Sequence, residues 1–300
     1  MNPKIKLLLR IIVSFVLIVV LFKKVNVYDV LENIKNLNLF FVSLVFLFFV
    51  LNYVASSYRW KVLFLGKCKN LSVLYLFKLY YIGAFLSNFL PSTVGGDIYK
   101  AYKLGRDTNN MPMAISSTFM ERLIGVFSLS VVSFLGVIFI WGVKGFIVLL
   151  FFWFLIILGF VNLKFFSKFS KKLKEFYSLI TLYRNKKKAL AKAFFYSLVV
   201  QIGSVFSHYF TSYALGIKLS LAFSFFAFPI IGFISFLPIS LNGIGTQDGA
   251  YVFFFKYVNV SPELAVSVSI LYHFLRVLNS AIGWVFLTLN ETLRFENKTS

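Results

Sequence analysis

Apolar runs close to 20 residues recur from one end of this 300-residue chain to the other. No polar stretch between them is long enough to form a separate soluble domain. A helix of about 20 residues, rising about 1.5 Å per residue, spans the ~30 Å hydrocarbon core of a bilayer. Hydrocarbon offers the backbone no hydrogen bonds, so such runs are expected to be helical. Composition agrees, with 59% hydrophobic and only 14% charged residues, against about a quarter charged in soluble domains. The expectation is an all-α polytopic membrane protein with a single domain over residues 1–300.

The net charge of +21 suggests at first a nucleic-acid partner. The charge lies instead in short blocks between apolar runs, the pattern of positive cytoplasmic loops, so nucleic acid is not an expected partner. A basic cytoplasmic face attracts anionic lipid headgroups. A single cysteine, Cys68, excludes internal disulfides and cysteine-based metal clusters. Lys4, Lys6 and Arg10 precede the first apolar run as in a signal peptide. No small-residue cleavage site follows, however, and the run ends at Lys23-Lys24, so it reads as the first span.

Six full spans are expected, at 5–22, 37–57, 113–141, 145–163, 193–215 and 264–289. Two further apolar segments, 71–90 and 219–237, each end at a proline followed by Gly-rich chain, where a helix must stop or kink. Charge decides whether these segments cross. If both enter and leave on one side, 23 of the 31 Lys and Arg lie inside and six outside, with Arg122 and Arg276 within spans. A full crossing by the first segment would put the ten cations of the 164–192 block outside, against the positive-inside bias. Both segments therefore read as re-entrant broken helices.

The two segments also resemble each other. One reads Phe89-Leu90-Pro91-Ser92-Thr93-Val94-Gly95-Gly96-Asp97-Ile98-Tyr99. The other runs Phe236-Leu237-Pro238-Ile239-Ser240-Leu241-Asn242-Gly243-Ile244-Gly245, then Thr246-Gln247-Asp248-Gly249-Ala250-Tyr251. Twenty-five residues after each Asp the next span carries polar groups: Arg122 beside Glu121, and His273 with Arg276. Each half (about 1–143 and 144–300) then holds three spans and one re-entrant element. The odd span count opposes the halves in the membrane, an inverted repeat whose broken helices meet near the midplane.

Irregular backbone at membrane depth must be buried in protein or line a wet cavity. The Gly95-Gly96 and Gly243-Ile244-Gly245 turns are thus expected to face a cavity, with positive-φ glycines and accessible amides. The helix restarting after each turn points its positive dipole end at the site, where amides suit a phosphate. Asp97 and Asp248 fall near these starts, placed equally well for capping or for function. Arg122 and Arg276 are the sharper candidates, because a charge central to a span costs at least ~3 kcal/mol. They have two readings: structural ion pairs (Arg122 with Glu121, Arg276 with Asp248) or anionic headgroup binding. His273 shares a helix face with Arg276. The expected substrate-binding set is Pro91, Ser92, Thr93, Gly95, Gly96, Asp97, Glu121, Arg122, Pro238, Gly243, Gly245, Asp248, His273 and Arg276. No catalytic constellation, metal site or cofactor is expected: two histidines without clustered carboxylates make a poor metal site, and no nucleophile triad, phosphate-binding lysine loop or zinc-type motif is present.

At these residues the chain resembles the transmembrane, flippase-like region of lysylphosphatidylglycerol synthases. The matching pieces are Arg59-Trp60, Asn88 through Asp97, Glu121-Arg122, and Leu237-Pro238-Ile239-Ser240 through Gly243-Ile244-Gly245. Asp248 departs mildly, being Glu in many relatives. In full-length synthases an aminoacyl-transferase domain follows, whereas this sequence stops at Ser300. The resemblance thus implies the lipid-translocating half, in the cell membrane, with an anionic lipid or lipid-linked phosphate as partner. Anchoring a separate glycosyltransferase or aminoacyltransferase is the alternative, and a phosphatidylglycerol lysyltransferase activity would follow from the family name alone.

The charge distribution sets both termini and the 164–192 loop in the cytoplasm. With Cys68 removed, Lys174→Cys should resist a membrane-impermeant maleimide in intact cells and react after permeabilisation. Strong labelling in intact cells overturns this topology.

Overall fold

A computed structural model describes residues 12–17, 19, 25, 27–66, 71–89, 95–166, 178, 180–236, 240 and 243–289. The regular structure among them is helical: α1 Val27–Lys35, α2 Leu39–Leu63, α3 Val73–Phe89, α4 Gly95–Asp107, α5 Met111–Phe166, α6 Lys187–Ala214, α7 Leu221–Phe236, α8 Thr246–Phe255, α9 Pro262–Ser280 and α10 Ile282–Thr288, with a 3-10 turn at Lys256–Val258. Among the described residues four stretches are long and apolar enough to cross a bilayer: Leu39–Leu63, Met111–Ile138, Lys187–Ala214 and Pro262–Thr288. The chain is an α-helical membrane protein. Most of the expected first span lies outside the described residues. The expected break between 113–141 and 145–163 is a non-helical residue, Gly142 (φ 54°, ψ −135°), inside α5.

Local chemistry sets the helix starts. Asn38, Ser72, Asn110, Ser220 and Ser261 each accept a backbone amide of the first turn, from Phe40, Tyr75, Met113, Phe223 and Leu264, at 3.0–3.3 Å. Each supplies an acceptor for an amide that a helix start leaves unpaired, worth about 1 kcal/mol. Pro262 adds its preset φ at the start of α9.

Helices α2 and α6 pack antiparallel along their length, from Asn38 N to Ala214 O (2.9 Å) at one end to Arg59 and Ser197 at the other. Phe48 stacks on Phe206 between these ends. On one side of this pair α3 and α4 form an antiparallel hairpin. Gly83 meets Lys100 and Gly96 near its tip, and the Tyr75 hydroxyl donates to Asp107 at 2.7 Å near its base. On the other side α7 and α8 form a second hairpin, joined by Ser235 to Gln247 (2.8 Å) and by Phe226 against Phe254. Each hairpin has its own core. Trp60, Leu76, Leu79, Tyr80 and Leu104 fill the first; Phe223, Phe228, Ile231, Tyr251 and Phe255 fill the second.

A reciprocal pair of glycine contacts ties the halves together. Gly283 of α10 lies against the Tyr81 and Ile82 backbone of α3, and Gly136 of α5 lies against the Phe225 and Phe226 backbone of α7. Pro229 has no amide to give to the Phe225 carbonyl, and Gly136 approaches that stretch. Outside the spans, the buried Tyr183 hydroxyl donates to the Leu63 carbonyl at 2.7 Å, and burial pushes its pKa up to about 12.

These contacts leave no room for a Cβ. Gly136→Ala and Gly283→Ala should each destabilise the protein by about 1–3 kcal/mol through overpacking. Gly232→Ala, whose Cβ would come no closer than 3.9 Å to Leu129, should be neutral or stabilising by up to ~1 kcal/mol. Thermal unfolding in detergent ranks the three, and equal melting temperatures would refute the tight-contact account.

Candidate functional site

Five ionisable side chains gather where α2, α4 and α5 meet. Arg59 Nη2 donates to Glu121 Oε1 at 2.5 Å, and Lys100 Nζ lies 2.9 Å from Asp97 Oδ1 and 3.8 Å from Glu121 Oε2. Arg122 completes the cluster through an ion pair with the other Asp97 oxygen. Tyr80 donates to Glu121, Ser197 accepts from Arg59 Nη1 at 2.7 Å, and Ser128 donates to Ser197 at 3.0 Å. Lys100 also lies over the Tyr80 ring at 3.8 Å and the Trp60 ring at 5.2 Å, an attraction that desolvation strengthens. Trp60 is held by its own indole bond to Ser117, 3.1 Å long. Arg59, Lys100 and Glu121 are buried, whereas the Arg122 and Asp97 side chains keep 25% and 19% of their surface exposed. Among the described residues three basic side chains face two acidic ones, and Arg122 and Asp97 form the accessible edge.

A second polar group sits where α8 and α9 meet. Asp248 Oδ2 accepts the Gly245 amide at 2.7 Å, and Oδ1 accepts from Ser269 at 2.5 Å. His273 Nε2 lies 3.5 Å from Asp248 Oδ1, and its Nδ1 lies 3.1 Å from Arg276 Nη2. Beyond them His208 is stacked between Tyr272 and Phe228, with its Nδ1 bonded to the Tyr251 hydroxyl. Tyrosines bridge the two groups: Tyr53 packs on Tyr80 and on Tyr81, and the Tyr81 hydroxyl donates to Asn279 at 3.4 Å. Among the described residues no group of three or more His, Cys, Asp or Glu is placed to hold a metal ion.

Several expectations change. Glu121 neutralises Arg59 rather than Arg122, because adjacent residues on a helix face different ways; Arg122 pairs with Asp97 instead. Between Asp248 and Arg276 stands His273, which contacts both. Arg59 and Lys100, assigned to cytoplasmic loops by the charge count, are buried inside the bundle. Gly95 and Gly96 open α4 with no positive φ. Gly96 serves packing, lying against the Gly83 backbone and Ser87. Gly243 and Gly245 do make the expected turn, at φ +83° and +85°, values that disfavour other residues. Leu17 and the Ser14 carbonyl cover Gly245, so it does not face a cavity. The two aspartates differ: Asp248 caps α8, whereas Asp97 is engaged by cations. Pro91, Ser92, Thr93 and Pro238 lie outside the described residues.

Reasoning from the sequence missed Lys100, Tyr80 and Tyr53. Lys100 had a legible signal, standing three residues after Asp97 and hence on the same helix face. The structure also exposes a register: Asp97, Lys100, Glu121 and Arg122 stand 151 residues before Asp248, Tyr251, Tyr272 and His273. In both halves the aspartate contacts the residue 25 positions on.

Comparison with known proteins places this geometry in a family. A UPF0104 membrane protein of Methanocaldococcus jannaschii is 24% identical over 93% of both chains. No solved structure matches the chain. Residues 7–283 match the family described as the lysylphosphatidylglycerol synthase TM region, and the chain belongs to that family.

Proposed function

We propose that the protein binds the headgroup of an anionic lipid or lipid-linked phosphate between its two hairpins and moves it across the cell membrane. The observation that carries this reading is the five-membered ion cluster, a net positive charge inside an apolar bundle with Arg122 at its accessible edge. A purely structural cluster has no need of a third cation, since two carboxylates are neutralised by two. Among the described residues the basic groups outnumber the acidic ones by one, and the planar fork of Arg122 matches a phosphate.

In this reading both hairpins are re-entrant and the halves are inverted repeats. Helices α4 and α8, of 13 and 10 residues, are about 20 and 15 Å long at 1.5 Å per residue, short of a ~30 Å core. The antiparallel α2–α6 pair, the reciprocal glycine contacts and the shared 151-residue register all support the same arrangement. Headgroup transfer by way of Arg122, the tyrosine bridge and Arg276 would follow a path shielded from hydrocarbon.

The test is reconstitution into liposomes containing fluorescent phosphatidylglycerol, phosphatidylcholine or a polyprenyl phosphate, followed by dithionite quenching. The protein should accelerate exchange of an anionic lipid. Arg122→Gln should reduce that rate at least tenfold with helicity retained, and Arg122→Lys should restore only part of it. Undiminished transport by a stable Arg122→Gln, Arg276→Gln protein refutes the reading. Glu121→Gln reports on structure instead: it leaves Arg59 without its buried counter-charge and should cost about 3–5 kcal/mol.

A further inference from the structure

His273 occupies in the second half the position Arg122 occupies in the first, 151 residues on, and faces an aspartate at the same register. One residue is permanently charged; the other charges only by taking up a proton. The surrounding hydrogen bonds define its state. A guanidinium N–H can only donate, so the 3.1 Å contact from Arg276 Nη2 makes His273 Nδ1 an acceptor. The imidazole is then neutral, with its proton on Nε2, which lies 3.5 Å from Asp248 Oδ1 without a hydrogen bond to it.

We propose that His273 is the proton-binding site of the translocation cycle, its protonation exchanging Arg276 from the imidazole to the bound anion. The inference rests on the headgroup reading above. A proton added at Nδ1 places two N–H groups face to face, and the Arg276 contact breaks. The same proton makes His273 a cation beside Asp248, reproducing the charge pattern of Arg122 with Asp97. Arg276 then turns to an anionic headgroup. Every element around His273 is compatible with this exchange. Helix α8 presents Asp248 and Tyr251, α6 presents His208, and α9 itself presents Tyr272 and Arg276. Tyr53 of α2 lies within electrostatic reach of Arg276, and Tyr81 of α3 packs on Tyr53. Helix α1 meets α9 through an uncharged contact, Asn33 to Ser267. Asp248 is therefore the anion that the protonated imidazole meets, and proton and anion favour each other's binding by the same factor.

The chain contains only two histidines, so nitrogen-15 NMR of the histidine-labelled full-length protein in phosphatidylcholine nanodiscs resolves both, and His208→Gln or His273→Gln assigns them. Over pH 5 to 8, His273 should show the Nε2–H tautomer at the alkaline end and take up a single proton toward the acid end. Dihexanoyl-phosphatidylglycerol keeps one phosphodiester charge over that range. Adding it should shift that protonation to higher pH by at least about 0.5 unit, a threefold gain in proton affinity, and dihexanoyl-phosphatidylcholine should not. In liposomes His273→Gln, which keeps an acceptor for Arg276 but takes no proton, should make transport independent of pH. An Nδ1–H tautomer, no titration, or a titration unmoved by a lipid that does bind overturns the proton site and leaves the headgroup reading intact. Absence of lipid binding at every pH overturns both.

Discussion

Five ionisable groups gathered in an apolar bundle, three of them buried, constrain this protein more than any other feature. Each of Arg59, Lys100 and Glu121 would be costly alone at that depth. Together they require α2, α4 and α5 to meet, because Arg59, Lys100 and Glu121 come from one helix each. They also require α3 and α6 to bring hydroxyls, since Tyr80 and Ser197 complete the coordination of Glu121 and Arg59. The position of the first hairpin follows, its tip held by Gly83 against Gly96 and its inner face by Lys100 over Tyr80 and Trp60.

The second half meets the same packing problem with different chemistry. At the positions matching Lys100 and Glu121 it has Tyr251 and Tyr272, which enclose His208 by a hydrogen bond and a stacked ring. An aromatic box replaces an ion network. Acidic and basic side chains of the first site give way to tyrosine and histidine in the second, beside Asp248 and Arg276. Under the proposed function, two sites built alike from different side chains would hold one anion with unequal strength, an asymmetry suited to moving a charge rather than storing it.

Much of this was legible in the residues. Apolar length and the positive loops read out a helical membrane protein. Arg122, Arg276, His273 and both aspartates stood out because a polar residue in a span demands a reason. Partner choice was not legible. Sequence neighbours suggested Glu121 for Arg122, but the 100° step between adjacent helix residues sends them to different helices. Arg59 and Lys100 were hidden for a different reason: each stands next to a run of loop cations, and only tertiary packing separates a buried cation from a solvated one. Gly96 misled because a Gly pair after a proline suggests a turn, whereas here it serves close approach of two helices.

The crossed glycine contacts bear on how the chain is made. Gly283 lies some 200 residues beyond its partner Tyr81, and at about 5–20 residues per second a ribosome needs roughly 10–40 seconds to supply it. Over that interval the first hairpin sits in the membrane with its outer backbone uncovered, and α5 waits with Gly136 open until α7 emerges. Until then lipid, or an insertase that shields unfinished helices, must cover surfaces meant for protein. The nascent chain is thus most exposed to quality control just before α10 arrives, and truncations that remove α10 should be degraded rather than accumulate as a stable shorter form.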